Sequence, residues 1–164
     1  MRFVAELGAD LPKYRNHVYR VYNNCLLIDG TKENQEKYAI AAVFHDIGIW
    51  TNHTIDYLAP SIEQAKQYLT SQNRQSLEEE ISLMIFWHHK ISRYRGASEQ
   101  TTTTFRKADW IDVSLGLVRF GLKRKEISKI REDFPNLGFH RFLLRKLIRN
   151  LFRHPLRPLP MFRR

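Results

Sequence analysis

The segment from Thr31 to Ile47 places the strongest constraint on how this chain folds. Thr31 is a suitable helix N-cap, Gly48 a natural stop, and Tyr38, Ile40, Ala41, Ala42, Val43 and Phe44 between them read as a mostly buried helical run. The run ends on His45 and Asp46. Two adjacent ionisable groups in the last turn of a buried helix are unfavourable unless each has a partner. A metal ion would satisfy both. The plainer alternative is a capped helix end, with Asp46 bonding nearby amides and His45 favoured by the helix dipole.

The remaining pattern is helical throughout. Asp10 and Pro12 open a helix whose apolar positions Tyr14, Val18, Val21, Tyr22, Cys25 and Leu26 continue to Ile28, with His17 on or beside that face. Asp29-Gly30 ends it, so this helix and the Thr31 helix are expected to pack antiparallel. The connection from Ile49 to Ala59 is long for a helix-helix link and is expected to help form the site beside it. Pro60-Ser61 starts a third helix. Ser76-Leu77-Glu78-Glu79 reads as a capping box opening a helix that runs to His88-His89-Lys90. Thr101 to Thr104 read as a turn or mobile segment before helix resumes over Phe105 to Val113, and Arg124 to Phe134 as one more short helix. No strand pattern stands out. The expected fold is an all-α bundle of roughly six to eight helices.

At 164 residues the chain is long enough for one domain with a substantial core. Its single cysteine, Cys25, excludes an internal disulfide and a cysteine-based zinc site, which fits a reducing cytoplasm. The N-terminal residues lack an apolar stretch of signal-peptide length, and no run is long enough to span a bilayer. The formal charge of +10 favours anionic partners: phosphorylated metabolites, nucleic acid or acidic lipid.

His17, His45, Asp46 and Asp109 come from three different helices, each in an apolar context where an unpaired ionisable side chain is costly. Two imidazoles and two carboxylates suit a divalent transition metal, Mn, Fe, Co, Ni or Zn, better than calcium or structural zinc. The ordered pattern His17, His45-Asp46-Ile47-Gly48 and Asp109, within Lys-Ala-Asp-Trp-Ile-Asp, resembles the HD superfamily of metal-dependent phosphohydrolases over roughly His17 to Asp112. The resemblance implies an α-helical fold in which these four residues coordinate one metal. Some members carry two further histidines that hold a second ion bridged by the doublet's aspartate. His88, His89 and His53 are the candidates here, with His53 more readily read as a solvated loop residue. Because consecutive helical positions face about 100° apart, His88 and His89 are not expected to bind the same ion.

Catalytic roles are therefore expected for Asp46, His88 and His89, and phosphate contacts for Lys90, Arg20 and Arg106. Ile49 stands where cyclic-di-GMP phosphodiesterases of the superfamily usually have lysine, and the acidic pair of the guanosine tetraphosphate hydrolases is absent. The expected activity is hydrolysis of a small phosphorylated substrate, a phosphoester or nucleotide, with a metal-activated water as nucleophile. One ion or two would serve. A di-iron oxygenase and a non-catalytic module binding anionic partners are the alternatives.

Residues 1–135 are assigned to the catalytic domain, 136–154 to a basic amphipathic helix packed on it, and 155–164 to a tail rich in proline and arginine. From Phe134 onward there is no acidic residue, while Arg141, Arg145, Arg149 and Arg153 share one face of that helix. It is expected either to complete the core or to meet an anionic membrane surface or nucleic acid, and membrane binding would place a cytoplasmic protein at the membrane periphery. The sequence leaves the oligomeric state open.

Overall fold

The computed structural model describes residues 3–153, so the 155–164 tail lies outside the described residues. The described residues form α-helices and short 3-10 turns, with no strand among them. In chain order the helices are α1 (Val4–Leu7), α2 (Leu11–Ile28), α3 (Lys32–Phe44), α4 (Gly48–Thr51), α5 (Leu58–Ser71), α6 (Glu78–Trp87), α7 (Glu99–Val113), α8 (Arg124–Asp133) and α9 (Phe139–Arg153). Seven run for ten residues or more, as the all-α expectation requires. No helix among the described residues is long and apolar enough to cross a membrane.

The central packing is α2 against α7 and α3, with α6 closing the core against α3 and α7. Val21, Tyr38, Ala41, Ile47, Ile81, Met84, Ile85 and Phe105 fill the interior. Full burial of each large apolar side chain stabilises by about 1.5–3 kcal/mol. Tyr14 donates to the Val43 carbonyl at 2.9 Å and Tyr38 to Asp29 Oδ2 at 2.6 Å, which fixes α2 and α3 antiparallel. Asp29 closes their turn. Its other oxygen accepts the Thr31 amide at 3.1 Å, and Asn34 donates to Oδ2 at 2.9 Å.

Several local expectations are corrected. Gly48 does not end the Thr31 helix; that helix stops at Phe44, residues 45–47 form a turn, and Gly48 begins α4. A Cβ at Gly48 would meet the Tyr57 carbonyl oxygen at 2.6 Å, so close approach to the start of α5 explains the glycine. The expected capping box at Ser76 is absent: Gln75–Leu77 make a 3-10 turn, and α6 starts at Glu78 with no side-chain cap. Thr101 to Thr104 are no turn but the first turns of α7, with Thr101, Thr102 and Thr104 buried.

Helix α9 packs on the same core. Phe139 is fully buried and stacks on the His17 ring at 4.1 Å, and Phe142 stacks on Trp50 at 5.1 Å.

Candidate metal centre

Four elements deliver the site. His17 projects from the middle of α2, His45 and Asp46 from the turn after α3, His88 and His89 from the turn after α6, and Asp109 from α7. His17, His45, Asp46, His88 and Asp109 are all buried. His17 Nε2 lies 2.9 Å from His45 Nε2, and the two nitrogens stand 3.5 and 3.4 Å from Asp46 Oδ2. His17, His45 and Asp46 thus form a group able to hold a metal ion. Asp109 Oδ1 is the next nearest oxygen, 3.8 Å from His17 Nε2 and 3.7 Å from His45 Nε2.

Asp46 also belongs to a second such group, with His88 and His89. Its Oδ1 faces His88 Nε2 at 3.6 Å, so the two carboxylate oxygens point to different histidine sets. The expectation that His88 and His89 cannot share an ion assumed that α6 continues to Lys90. It ends at Trp87, and in the turn that follows the two rings lie 3.8 Å apart on one side.

The hydrogen bonds of the rings fix their tautomers. His45 Nδ1–H donates to the Ala42 carbonyl at 2.9 Å and His88 Nδ1–H to the Ile85 carbonyl at 2.6 Å. His17 Nδ1–H donates to Asp112 Oδ2 at 2.7 Å. In the neutral rings every Nε2 therefore turns a lone pair inward, towards carboxylates that also only accept. Asp46 Oδ1 and His88 Nε2 are buried without a hydrogen-bond partner. With the three rings neutral, the centre is a set of acceptors with no donor among them, and a positive charge, whether a proton or a metal cation, is what such a set fits.

The electrostatics agree. Burial opposes the charged His17 ring, but hydrogen bonds to Asp112 and Asp46 raise it to about 9, so the surroundings of its inward face favour positive charge. Burial would raise Asp46, yet the His45 charge and hydrogen bonds from His17 and His88 hold it well below the carboxylate range. Asp109 is likewise lowered against its burial, chiefly by His45. Burial and the neighbouring His88 charge push His89 down to about 3.

Two contributors were not assigned from the sequence. Asp112, one turn beyond Asp109, orients His17 and is itself gripped by Arg20, whose Nε donates to Oδ1 at 2.5 Å and Nη2 to Oδ2 at 3.0 Å. The signal was available: His17 to Arg20 and Asp109 to Asp112 share a spacing of three, which places each pair on one helix face. Tyr57, in the long connection before α5, is buried and hydrogen-bonds His89 Nε2. That connection does line the site.

The expected phosphate contacts are not gathered there. Arg20 is buried, spending its guanidinium on Asp112 and on the Phe134 carbonyl at 3.0 Å. Arg106 donates to the Lys90 and Ile91 carbonyls at 3.3 and 3.4 Å, holding the turn after α6. Lys90 lays its ammonium 4.6 Å over the Phe86 ring, where burial lowers its pKa. His53 is exposed in the connection at positive φ, as a solvated loop residue. Comparison with protein-family models, curated proteins and solved structures finds no match to this chain.

Proposed function

We propose that this chain is a metal-dependent phosphohydrolase of the HD type, with its metal at His17, His45, Asp46 and Asp109. The observation that carries the reading is the donor-free centre: three inward lone pairs and two carboxylates with Asp46 Oδ1 and His88 Nε2 unpartnered. A divalent ion there supplies Lewis acidity, lowering the pKa of water and offsetting charge that develops on a phosphoryl oxygen. The chain's own residues do the rest. Asp112 holds the His17 ring at the angle its Nε2 needs, Arg20 keeps Asp112 ionised, and Phe139 closes the outer face of the ring.

Charge balance supports one ion in the resting protein and a phosphate beside two. With the histidines neutral, as ligands to an ion must be, Asp46, Asp109 and Asp112 carry three negative charges against the positive charge of Arg20, which one divalent cation would neutralise. A second ion, if held by Asp46, His88 and His89, would leave an excess that a phosphate dianion would offset. Because Asp46 belongs to both histidine groups, a di-iron oxygenase is the second reading, which ion content would separate from hydrolysis at one metal.

The test is metal analysis of the purified chain together with turnover of a panel of phosphomonoesters and nucleotides. Metal-dependent phosphate release that disappears in Asp46→Ala is expected; Asp46→Ala with full activity and metal content sinks the reading. Two irons with oxygen uptake and no phosphate release favours the oxygenase.

A further inference from the structure

Helix α9 uses only part of its apolar surface to dock. Phe139, Phe142, Leu143 and Leu147 face the core, whereas Leu144, Ile148 and Leu151, at i, i+4 and i+7, are 56, 45 and 46 % exposed. Phe152 at the helix end is 82 % exposed. Arg141, Arg145 and Arg149, also exposed, run along the helix beside this stripe. No acidic residue follows Asp133 in the sequence, so nothing on the helix balances them.

We propose that this outer face of α9 docks the protein on an anionic lipid bilayer, with Leu144, Ile148, Leu151 and Phe152 entering the headgroup boundary and Arg141, Arg145 and Arg149 pairing with lipid phosphates. The argument is charge complementarity joined to exposed apolar area. Arginines alone would suit a nucleic acid equally well, but a phosphodiester backbone offers nothing to a leucine and isoleucine stripe, whereas acyl chains do. The inner face is already tied down by Phe139 on His17 and Phe142 on Trp50, so the helix meets the bilayer as a rigid edge of the domain. The proposal is independent of the reaction at the metal centre.

The experiment uses the full chain, since removing α9 would strip Phe139 from His17. Sedimentation with vesicles of phosphatidylcholine alone, or mixed with phosphatidylglycerol, is compared for the parent chain, for Leu144→Ser/Ile148→Ser/Leu151→Ser and for Arg141→Gln/Arg145→Gln/Arg149→Gln. Binding to the anionic vesicles only is expected, with each variant reducing the partition coefficient on the order of a hundredfold. All six positions are exposed, so both variants should keep the parent's circular dichroism; the arginine variant alters no apolar contact and remains informative if the serine variant misfolds. The proposal is overturned if the parent binds neither vesicle. It is also overturned if anionic binding survives the serine substitutions, if the parent binds duplex RNA but not vesicles, or if the stripe drives self-association instead.

Discussion

At the scale of single residues, Asp112 carries more of the site than its distance from the acceptor centre implies. It fixes the His17 tautomer through Nδ1 and neutralises a fully buried guanidinium. Asp112→Asn keeps the shape but removes the charge from both interactions. The expected result is metal affinity weakened about 10- to 100-fold, read by competitive chelator titration. Because Arg20 then lacks its counter-ion, stability should also fall by about 3 kcal/mol or more in urea unfolding. Unchanged affinity would mean that the packing of Phe139, rather than the carboxylate, orients the ring. Asp29 makes the corresponding contribution to the fold. Burial would raise its carboxyl, but hydrogen bonds from Thr31, Tyr38 and Asn34 bring it to about 2 from an ordinary 3.8. A lowered folded pKa stabilises above the unfolded value and loses that contribution as pH falls through the folded one. The parent should therefore exceed Asp29→Asn by about 1 kcal/mol at neutral pH, solvent screening taking up part of the shift, with the gap closing between about pH 4 and pH 2 in denaturant titrations.

At the scale of elements, the short helix α4 positions the doublet. The Gly48 amide donates to Ser61 Oγ at 3.0 Å, and the missing Cβ lets the chain pass against the Tyr57 carbonyl, so the turn bearing His45 and Asp46 is clamped to the start of α5. Gly48→Ala forces a shift against backbone rather than a flexible side chain. A loss of about 1–3 kcal/mol in unfolding free energy is expected, with weaker metal binding because Asp46 moves too. Equal stability would show that the α4 to α5 contact is slack. This clamp also marks where the sequence stops being readable. Helical period exposes α2, α8 and α9, because each alternates faces against a single core. The His17, His45, Asp46 and Asp109 set is legible for a related reason, since charges on apolar faces stand out. Thr101 to Thr104 mislead because β-branched hydroxyl residues are weak helix formers, whereas in the fold Thr101, Thr102 and Thr104 are buried and Thr101 Oγ1 donates to Glu80 of α6 at 2.5 Å. The side shared by His88 and His89 depends on α6 ending at Trp87, which no residue at that point announces.

At the scale of the molecule, the surface and the centre carry opposite charge. The whole chain is formally +10, a field that repels cations at long range, while the buried centre concentrates Asp46, Asp109 and Asp112 within the core. Any ion held there is held by local geometry and not by the protein's overall charge. An ion held by His17, His45 and Asp46 would tie α2 to the turn after α3, so its binding energy would add to the cohesion of the central packing. A ligand that binds only the folded state stabilises it by about 4 kcal/mol when free ligand exceeds Kd a thousandfold. For a chain of this size that corresponds to a rise in Tm of about 8–16 °C. Scanning calorimetry of chelator-stripped protein, before and after addition of Mn, Fe(II), Co, Ni or Zn, should show the rise for the ions that bind. Asp46→Ala should remove it, because that substitution takes one ligand from each histidine group, whereas His53→Ala in the exposed connection should leave it intact. A rise of equal size in Asp46→Ala would place the stabilising ion elsewhere.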